Sequence, residues 1–589
     1  MKLTFTFIFL LISTNHFYAQ DLPHWETEEE KLYREKFGYP VYDFLSDPPP
    51  SPVRGMAEWE ELQGVIITWA TQQTILRQIV DYAQEEGLVY IICSDSNTVK
   101  NYLQTWGVPL YNIKYLITSF NSIWVRDYGP WTAYTNDYDT LNIIDWIYNR
   151  PARPLDDATP VFFANYIGAP IYQTTTPPND LIHTGGNLMV DGHGTAFSSK
   201  LILNENPSKT EAQIDEIMNK FLGTERYIKM NNLPYDQIHH IDMHMKLLDE
   251  ETLLVGQYPP GVADGPQIEA NLQYVLNNFQ TCFGRPYKVV RIPMPPDQNG
   301  QYPPSGQYRT YTNSIIINKT VIIPTYEYQY DTTAFRIYRD AMPGYNIVGI
   351  NCNSIIGSLG AIHCIVKEVG AFDPIWISHP KKEGIAETAD SIPIAAVIKS
   401  KFAITDASVF YTSDTSQGFV SAPMSFASGD TAVGYIPAQP DSTEIFYYLS
   451  ATSNRGKTIT KPLVAPDGFY KFIVENSVTD IADNSQPSEF YLSQNYPNPF
   501  NPVTSIQYSV GSRQFVNLKV YDILGNEVAT LVNEEKPAGT YEIEFSAKGG
   551  SASGGNASSG NVRNLTSGVY FYKLQAGNFN QTKKMVLIR

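Results

Sequence analysis

A chain of 589 residues is too long for one core, and at about 150 residues per domain it suggests roughly three or four. Hydrophobic residues at 43% and charged residues at 17% are the balance of a globular protein able to bury large cores. A formal net charge of −18 with no run of Lys or Arg sets nucleic-acid binding aside, because neutralising phosphates takes a basic footprint; an acidic surface instead attracts cations.

The chain begins like an export signal. Lys2 precedes an apolar run from Leu3 to Ile12, and Ala19 offers a small residue before Gln20. Residues 1–19 are therefore expected to be removed on export, and no later stretch approaches the length of a membrane-spanning helix. From 20 to 380, β-rich runs alternate with helical ones. Gly64 to Trp69, Leu88 to Cys93, Leu201 to Leu203, Thr252 to Val255 and Ser314 to Pro324 read as strands. Thr210 to Leu222 and Gln267 to Phe279 read as helices from apolar residues three and four apart, so this region is expected to be an α/β catalytic domain.

Helices disappear over 381–475. Val409 to Tyr411, Thr431 to Ile436, Glu444 to Ala451 and Phe469 to Val474 are short alternating strands, which fits an immunoglobulin-like β-sandwich without its cysteine pair. Residues 476–488 read as a polar linker. The region 489–589 opens on the turn-rich Asn495 to Pro502 and continues with strands at Ser505 to Val510, Asn517 to Tyr521 and Val569 to Leu574. Its Gly549 to Asn561 tract is too poor in apolar residues to pack a core. Tyr496-Pro497-Asn498-Pro499-Phe500, Val520-Tyr521-Asp522-Ile523-Leu524-Gly525, Ser567-Gly568-Val569-Tyr570 and the basic-apolar ending together resemble the C-terminal sorting domain of the type IX secretion system. That resemblance implies the type IX machinery as a partner and a secreted or outer-membrane cell-surface location. A plain adhesive or carbohydrate-binding sandwich is the alternative.

Four segments of the α/β region concentrate polar residues suited to chemistry: Trp124 to Trp131, His239 to His244, Tyr311 to Ser314 and Gly360 to Cys364. His240 and His244 could ligate zinc from one helical face, but the Glu that zinc proteases place after the first His is Ile241 here. Read as a strand leading into a hairpin near Leu247, residues 240, 242 and 244 share a face and His240–Asp242 becomes a catalytic pair. Asp127 beside Arg126 could also be a structural ion pair, and Cys364 a plain buried thiol. His363, adjacent to Cys364 and pointing to the other face of a strand, is not expected to serve as its base; His240 is. Cys93 reads as a buried thiol, while Cys282 and Cys352 could form a disulfide.

Together these residues suit a guanidinium. It is a planar cation to high pH, best held by carboxylates such as Asp127 and Asp242. Its carbon is a poor electrophile and calls for a thiolate, which Cys364 can supply, with His240 protonating departing ammonia and then activating water.

The motifs, with Thr184 to Gly194 between the first two, resemble the agmatine deiminase and Porphyromonas-type peptidylarginine deiminase family of the pentein superfamily over roughly residues 50 to 370. The resemblance implies a five-bladed α/β-propeller, Cys364 as nucleophile, His240 as acid/base, Asp127 and Asp242 on the guanidinium, Asn313 beside the cysteine, and Trp124 lining the substrate site. It implies no cofactor, and nothing resembles a calcium loop. Arg150 and Arg153 correspond to two arginines that bind the substrate's C-terminal carboxylate, although two residues separate them where the family's pattern has one; pairing with Asp156 or Asp157 is the alternative. Thr184 stands where the agmatine branch carries an acidic residue. The expected substrate is C-terminal peptidylarginine in peptides or proteins, with agmatine or free arginine as alternatives and a non-catalytic surface adhesin as the reading from another class.

Overall fold

The computed structural model describes residues 22–40, 47–136, 138, 140–387, 391–475, 490–495, 498–547, 565–577 and 579–588. The expected signal sequence, the linker, the Gly549 to Asn561 tract and Tyr496-Pro497 lie outside them. Packing divides the chain into two units, residues 1–477 and 478–589.

Five small sheets between Val53 and Gly370 share one plan: an antiparallel pair, then a helix, then a strand parallel to the second of the pair. Trp131–Thr135 and Thr140–Tyr148 are followed by helix Thr159–Ile167 and strand Ile171–Thr174. Met189–Val190 and Thr195–Ser199 are followed by Glu211–Leu222 and Arg226–Met230. Met245–Leu247 and Thr252–Gln257 are followed by Gly265–Asn278 and Lys288–Pro293. Ile315–Ile317 and Thr320–Thr325 are followed by Tyr328–Ala341 and Asn346–Asn351. The fifth sheet joins distant parts of the chain. Lys367–Gly370 lies antiparallel to Leu62–Thr68, which continues through helix Gln73–Glu86 to parallel strands Leu88–Cys93 and Ile113–Ile117.

Local sequence explains the elements. Gln73–Glu86 buries Ile75, Leu76, Ile79, Val80 and Ala83, a stripe at helical spacing against its sheet. Thr210 caps Glu211–Leu222 in a reciprocal bond with Gln213, and Gly223 ends it in a left-handed conformation. Two expected strands differ. Leu201–Glu205 is a short helix: the strand of this sheet is the preceding Thr195–Ser199, and the Ser199 hydroxyl accepts from the Leu201 N–H and turns the chain. Ser314 to Pro324 is a hairpin, reversed at Asn318, whose φ of 48° an asparagine tolerates.

Strands from Ile375–Ser378 to Tyr470–Glu475 form a second core in the same unit, with Val420–Ser428 pairing to both Ile404–Thr412 and Thr431–Pro437. Lys461 to Glu250 at 2.6 Å and Lys457 to Glu61 at 2.7 Å tie it to the α/β part. In the other unit, Val503–Val510 pairs with Gly539–Ser546, and Gln514–Tyr521 lies between Glu527–Lys536 and Gly568–Ala576. Its core includes Leu492, Ile506, Leu518, Phe545, Tyr572 and Met585. This C-terminal region is all β among the described residues.

Candidate active site

The repeated plan places the site. In each sheet the residues of interest stand in the turn just before the first strand of the pair: Asp127 in Val125–Tyr128, Gly186 in Gly185–Asn187, Asp242 in Ile241–Met243, Asn313 before Ile315, and Cys364 in His363–Ile365. These turns bond to one another. Gly186 N–H donates to Asp127 Oδ1 at 3.1 Å, Arg126 Nε to the His363 carbonyl at 3.1 Å, and Thr312 Oγ1 to the Asp242 carbonyl at 3.0 Å. Asn313 Oδ1 accepts from the N–H groups of Ala361 at 3.2 Å and His363 at 3.1 Å, fixing the turn that carries Cys364.

Cys364 is fully buried, with Asn313 Nδ2 at 3.2 Å from its sulfur and Asp242 Oδ2 at 3.9 Å. Burial, reinforced by the Asp242 and Asp127 carboxylates, pushes the thiol well above its ordinary range. His240 lies with Nδ1 at 3.6 Å from Asp127 Oδ1 and Nε2 at 3.5 Å from the Thr184 hydroxyl. Burial draws it down to about 4 despite Asp127, so its ring is neutral near pH 7. Asp127 is buried, which alone would raise it, but His24 and His240 beside it hold its carboxyl well below the usual range. Asp242 is likewise held down, chiefly by His363 against its burial, and among the described residues its Oδ1 has no hydrogen-bond donor.

The strand expected to align His240, Asp242 and His244 is a 3-10 turn, Ile241–Met243, flanked by the two histidines. The hairpin begins only at Met245, so a period of two does not apply. Both His244 ring nitrogens are buried without a hydrogen-bond partner among the described residues. Cys364 too sits on a 3-10 turn and not on a strand. His363 bridges two carboxylates, with Nδ1 2.6 Å from Asp242 Oδ2 and Nε2 2.8 Å from Glu58 Oε2. Among the described residues the thiol's hydrogen-bonding neighbours are Asn313 and Asp242, not His240. All four cysteines are free. Asp127 does not pair with Arg126, whose Nη1 lies 2.6 Å from Glu368.

Sequence reasoning missed the N-terminal segment. His24 is fully buried in the site, its Nε2 donating to Asp127 Oδ2 and its Nδ1 to the Leu359 carbonyl at 2.7 Å. Its ring stacks on Trp124 at 4.5 Å and meets His240 edge-on at 4.8 Å. Arg150 Nη2 donates to the His24 carbonyl at 3.1 Å. Arg153 grips the Glu30 carboxylate with Nε at 2.6 Å and Nη2 at 3.0 Å. Neither arginine forms an ion pair with Asp156 or Asp157: Asp156 accepts from the N–H of Asn121 and from Ser122, and Asp157 from the N–H of Tyr148. A single histidine far from its partners leaves no pattern, but Thr27-x-x-Glu30 before an acidic turn is a capping box that announces helix Glu28–Phe37. His24, Asp127 and His240 present ligand atoms within 4.8 Å of one another, a trio able to hold a metal ion.

Residues 54–369 match the profile of the Porphyromonas-type peptidyl-arginine deiminase. The chain belongs to this family. Residues 494–552 match the secretion-system C-terminal sorting domain, which indicates export to the cell surface or medium. A protein provisionally named agmatine deiminase from Vibrio parahaemolyticus is 26% identical over 281 residues, covering 43% of this chain and 76% of its own. One of the same name from Legionella pneumophila is 26% identical over 270 residues, covering 44% and 75%. A crystal structure also provisionally titled agmatine deiminase superposes with a TM-score of 0.50 at 19% identity, covering 56% of this chain and all of that one. The deiminase fold is thus shared, with mixed α/β content. No helix among the described residues is long and apolar enough to cross a membrane.

Proposed function

We propose that this deiminase hydrolyses peptidyl-arginine to peptidyl-citrulline and ammonia, with Cys364 as nucleophile. One observation carries the reading most: a buried thiol, a neutral imidazole and two ionised carboxylates converge at the matching ends of the five sheets. In this reading the sheets are five blades of an α/β-propeller, and the second core is an immunoglobulin-like sandwich.

Asp127 and the open Oδ1 of Asp242 take the guanidinium N–H groups, and Trp124 covers its face. The bound cation offsets the carboxylates that suppress the Cys364 thiolate, so ionisation accompanies binding. The thiolate attacks the guanidinium carbon, and Asn313 Nδ2 steadies the sulfur. His240, carrying the proton the thiol released, gives it to the departing amine, leaving an S-alkylthiouronium on Cys364. His240 then draws a proton from water as that water attacks the same carbon. The C–S bond breaks, the ureido group of citrulline leaves, and the thiolate returns. Arg153 already holds a carboxylate, that of Glu30, in a two-pronged bond, which supports Arg150 and Arg153 as the grip on a C-terminal carboxylate.

The test is citrulline release from a peptide ending in arginine, the same peptide amidated, and agmatine, using the full chain carrying His24→Ala and Glu30→Ala so that both anchor points are free. Cys364→Ala is the blank. Preference for the free carboxylate is expected. Preference for agmatine would move the chain to the other branch, and no turnover from folded protein would favour the adhesin.

A further inference from the structure

We infer that the segment Leu22–Phe37 is a built-in pseudosubstrate that keeps the deiminase shut until it is displaced or removed; the inference rests on the proposed site. The segment fills both ends of the place an arginine with a free carboxylate would take. At the deep end the flat His24 ring is hydrogen-bonded through both nitrogens, to the Asp127 carboxylate and to the Leu359 carbonyl. It stacks on Trp124 at an interplanar angle of 15° and bonds Asp127, as a guanidinium would. At the outer end Glu30 offers its carboxylate to Arg153. Around His24 the backbone is held as well. Trp124 Nε1 donates to the Leu22 carbonyl at 2.8 Å, Arg153 Nη2 to those of Pro23 at 2.9 Å and Trp25 at 3.2 Å, and His24 N–H to that of Ser358 at 3.1 Å.

The mimic cannot itself be turned over. An imidazole has no exocyclic amine to lose as ammonia, so the thiolate finds no carbon with a leaving group. His24 therefore blocks without being consumed. Cleavage of the expected signal after Ala19 would leave the segment on the exported chain, so opening the site takes a further cut or a competing substrate.

A haloacetamidine separates the possibilities, because it reports on the thiol without regard to peptide preference. Its amidinium enters the cation site and Cys364 displaces halide, forming a thioether. All reactions contain a chelator, which removes any metal held by His24, Asp127 and His240. The full chain is expected to be labelled at Cys364 at least about 10-fold more slowly than the His24→Ala/Glu30→Ala chain, in proportion to the fraction of open site. Equal rates would overturn the inference, as would slower labelling of the variant, which would make His24 a working part of the site. No labelling of either would overturn the deiminase reading itself and the inference with it. If the double variant fails to fold, His24→Arg keeps the segment seated and swaps the mimic for a substrate. Water then replaces one guanidinium nitrogen, and mass spectrometry should find citrulline at position 24, absent when Cys364→Ala is added. Unmodified arginine there, in chain whose Cys364 does react with haloacetamidine, would overturn the placement.

Discussion

Replacing Glu58 with Gln tests the electrostatics around the site without relying on turnover. Glu58 Oε1 accepts from Lys246 Nζ at 2.6 Å and from the Ile316 N–H at 2.8 Å, while Oε2 accepts from His363 at 2.8 Å. The amide keeps the shape but removes the charge, leaving the buried Lys246 ammonium without its counter-ion. Breaking a buried pair from one side costs about 3–5 kcal/mol. At about 2 °C per kcal/mol for a unit of this size, the first unit should melt roughly 6 °C lower or more. The pH dependence has a definite sign. Lys246 and His363 hold Glu58 well below the usual carboxylate range against its burial, so its contribution is complete above the unfolded value of about 4.3. It is lost as pH falls further toward the folded value. The amide does not titrate, so the gap between parent and variant should be full at pH 7 and narrow at about pH 3.5. Thermal unfolding followed by near-ultraviolet circular dichroism at both values measures it. A gap under about 1 °C at pH 7, or one that widens in acid, would refute the ion-pair account.

Other consequences are sharper in activity than in stability. A Cβ on Gly186 would lie 2.4 Å from His240 Nδ1 and 3.0 Å from Asp127 Oδ1, so Gly186→Ala must push the pair apart by about 1 Å and should lower kcat/KM about 100-fold with little change in melting. Iodoacetamide, which is neutral, should alkylate Cys364 of the His24→Ala/Glu30→Ala chain slowly at pH 7, with a rate still rising at pH 9, because burial and two carboxylates raise the thiol. A rate already level by pH 8, measured by intact mass, would contradict that. Asn313→Ala removes the Nδ2 contact at 3.2 Å and the acceptor that fixes the turn carrying Cys364, and should lower kcat about 100-fold while leaving KM within a few-fold.

The site residues were legible because each is an unusual polar group inside a short motif of Gly and aromatic residues, and the likeness to a known family tied the motifs together. Helices such as Glu211–Leu222 were legible because one apolar stripe and a capping box agree. Strand periodicity misled wherever the chain turns within a few residues, as at Ile241–Met243 and Leu201–Glu205, since a period of two and a single turn of helix look alike over so short a run. Glu58 and His24 were invisible for another reason. Their partners lie far along the chain, at Lys246 and His363 for one and Asp127 and Leu359 for the other, and only the closed fold brings them near.

The sheet that joins the two ends of the α/β part gives Cys364 a particular place in time. Cys364 stands three residues ahead of Lys367–Gly370, the strand that pairs Lys367 with Ile66. Three of the other four turns precede a strand whose partner is close in sequence, and such local pairings form early; the fourth, ahead of Trp131–Thr135, has a local partner in Thr140–Tyr148 and a distant one in Val53–Gly55. The turn bearing the thiol is anchored only when the last strand has found the first. A chain still being made or threaded through an export channel can therefore own its carboxylates and imidazole while lacking a placed sulfur. The thiol takes its place only as the fold closes.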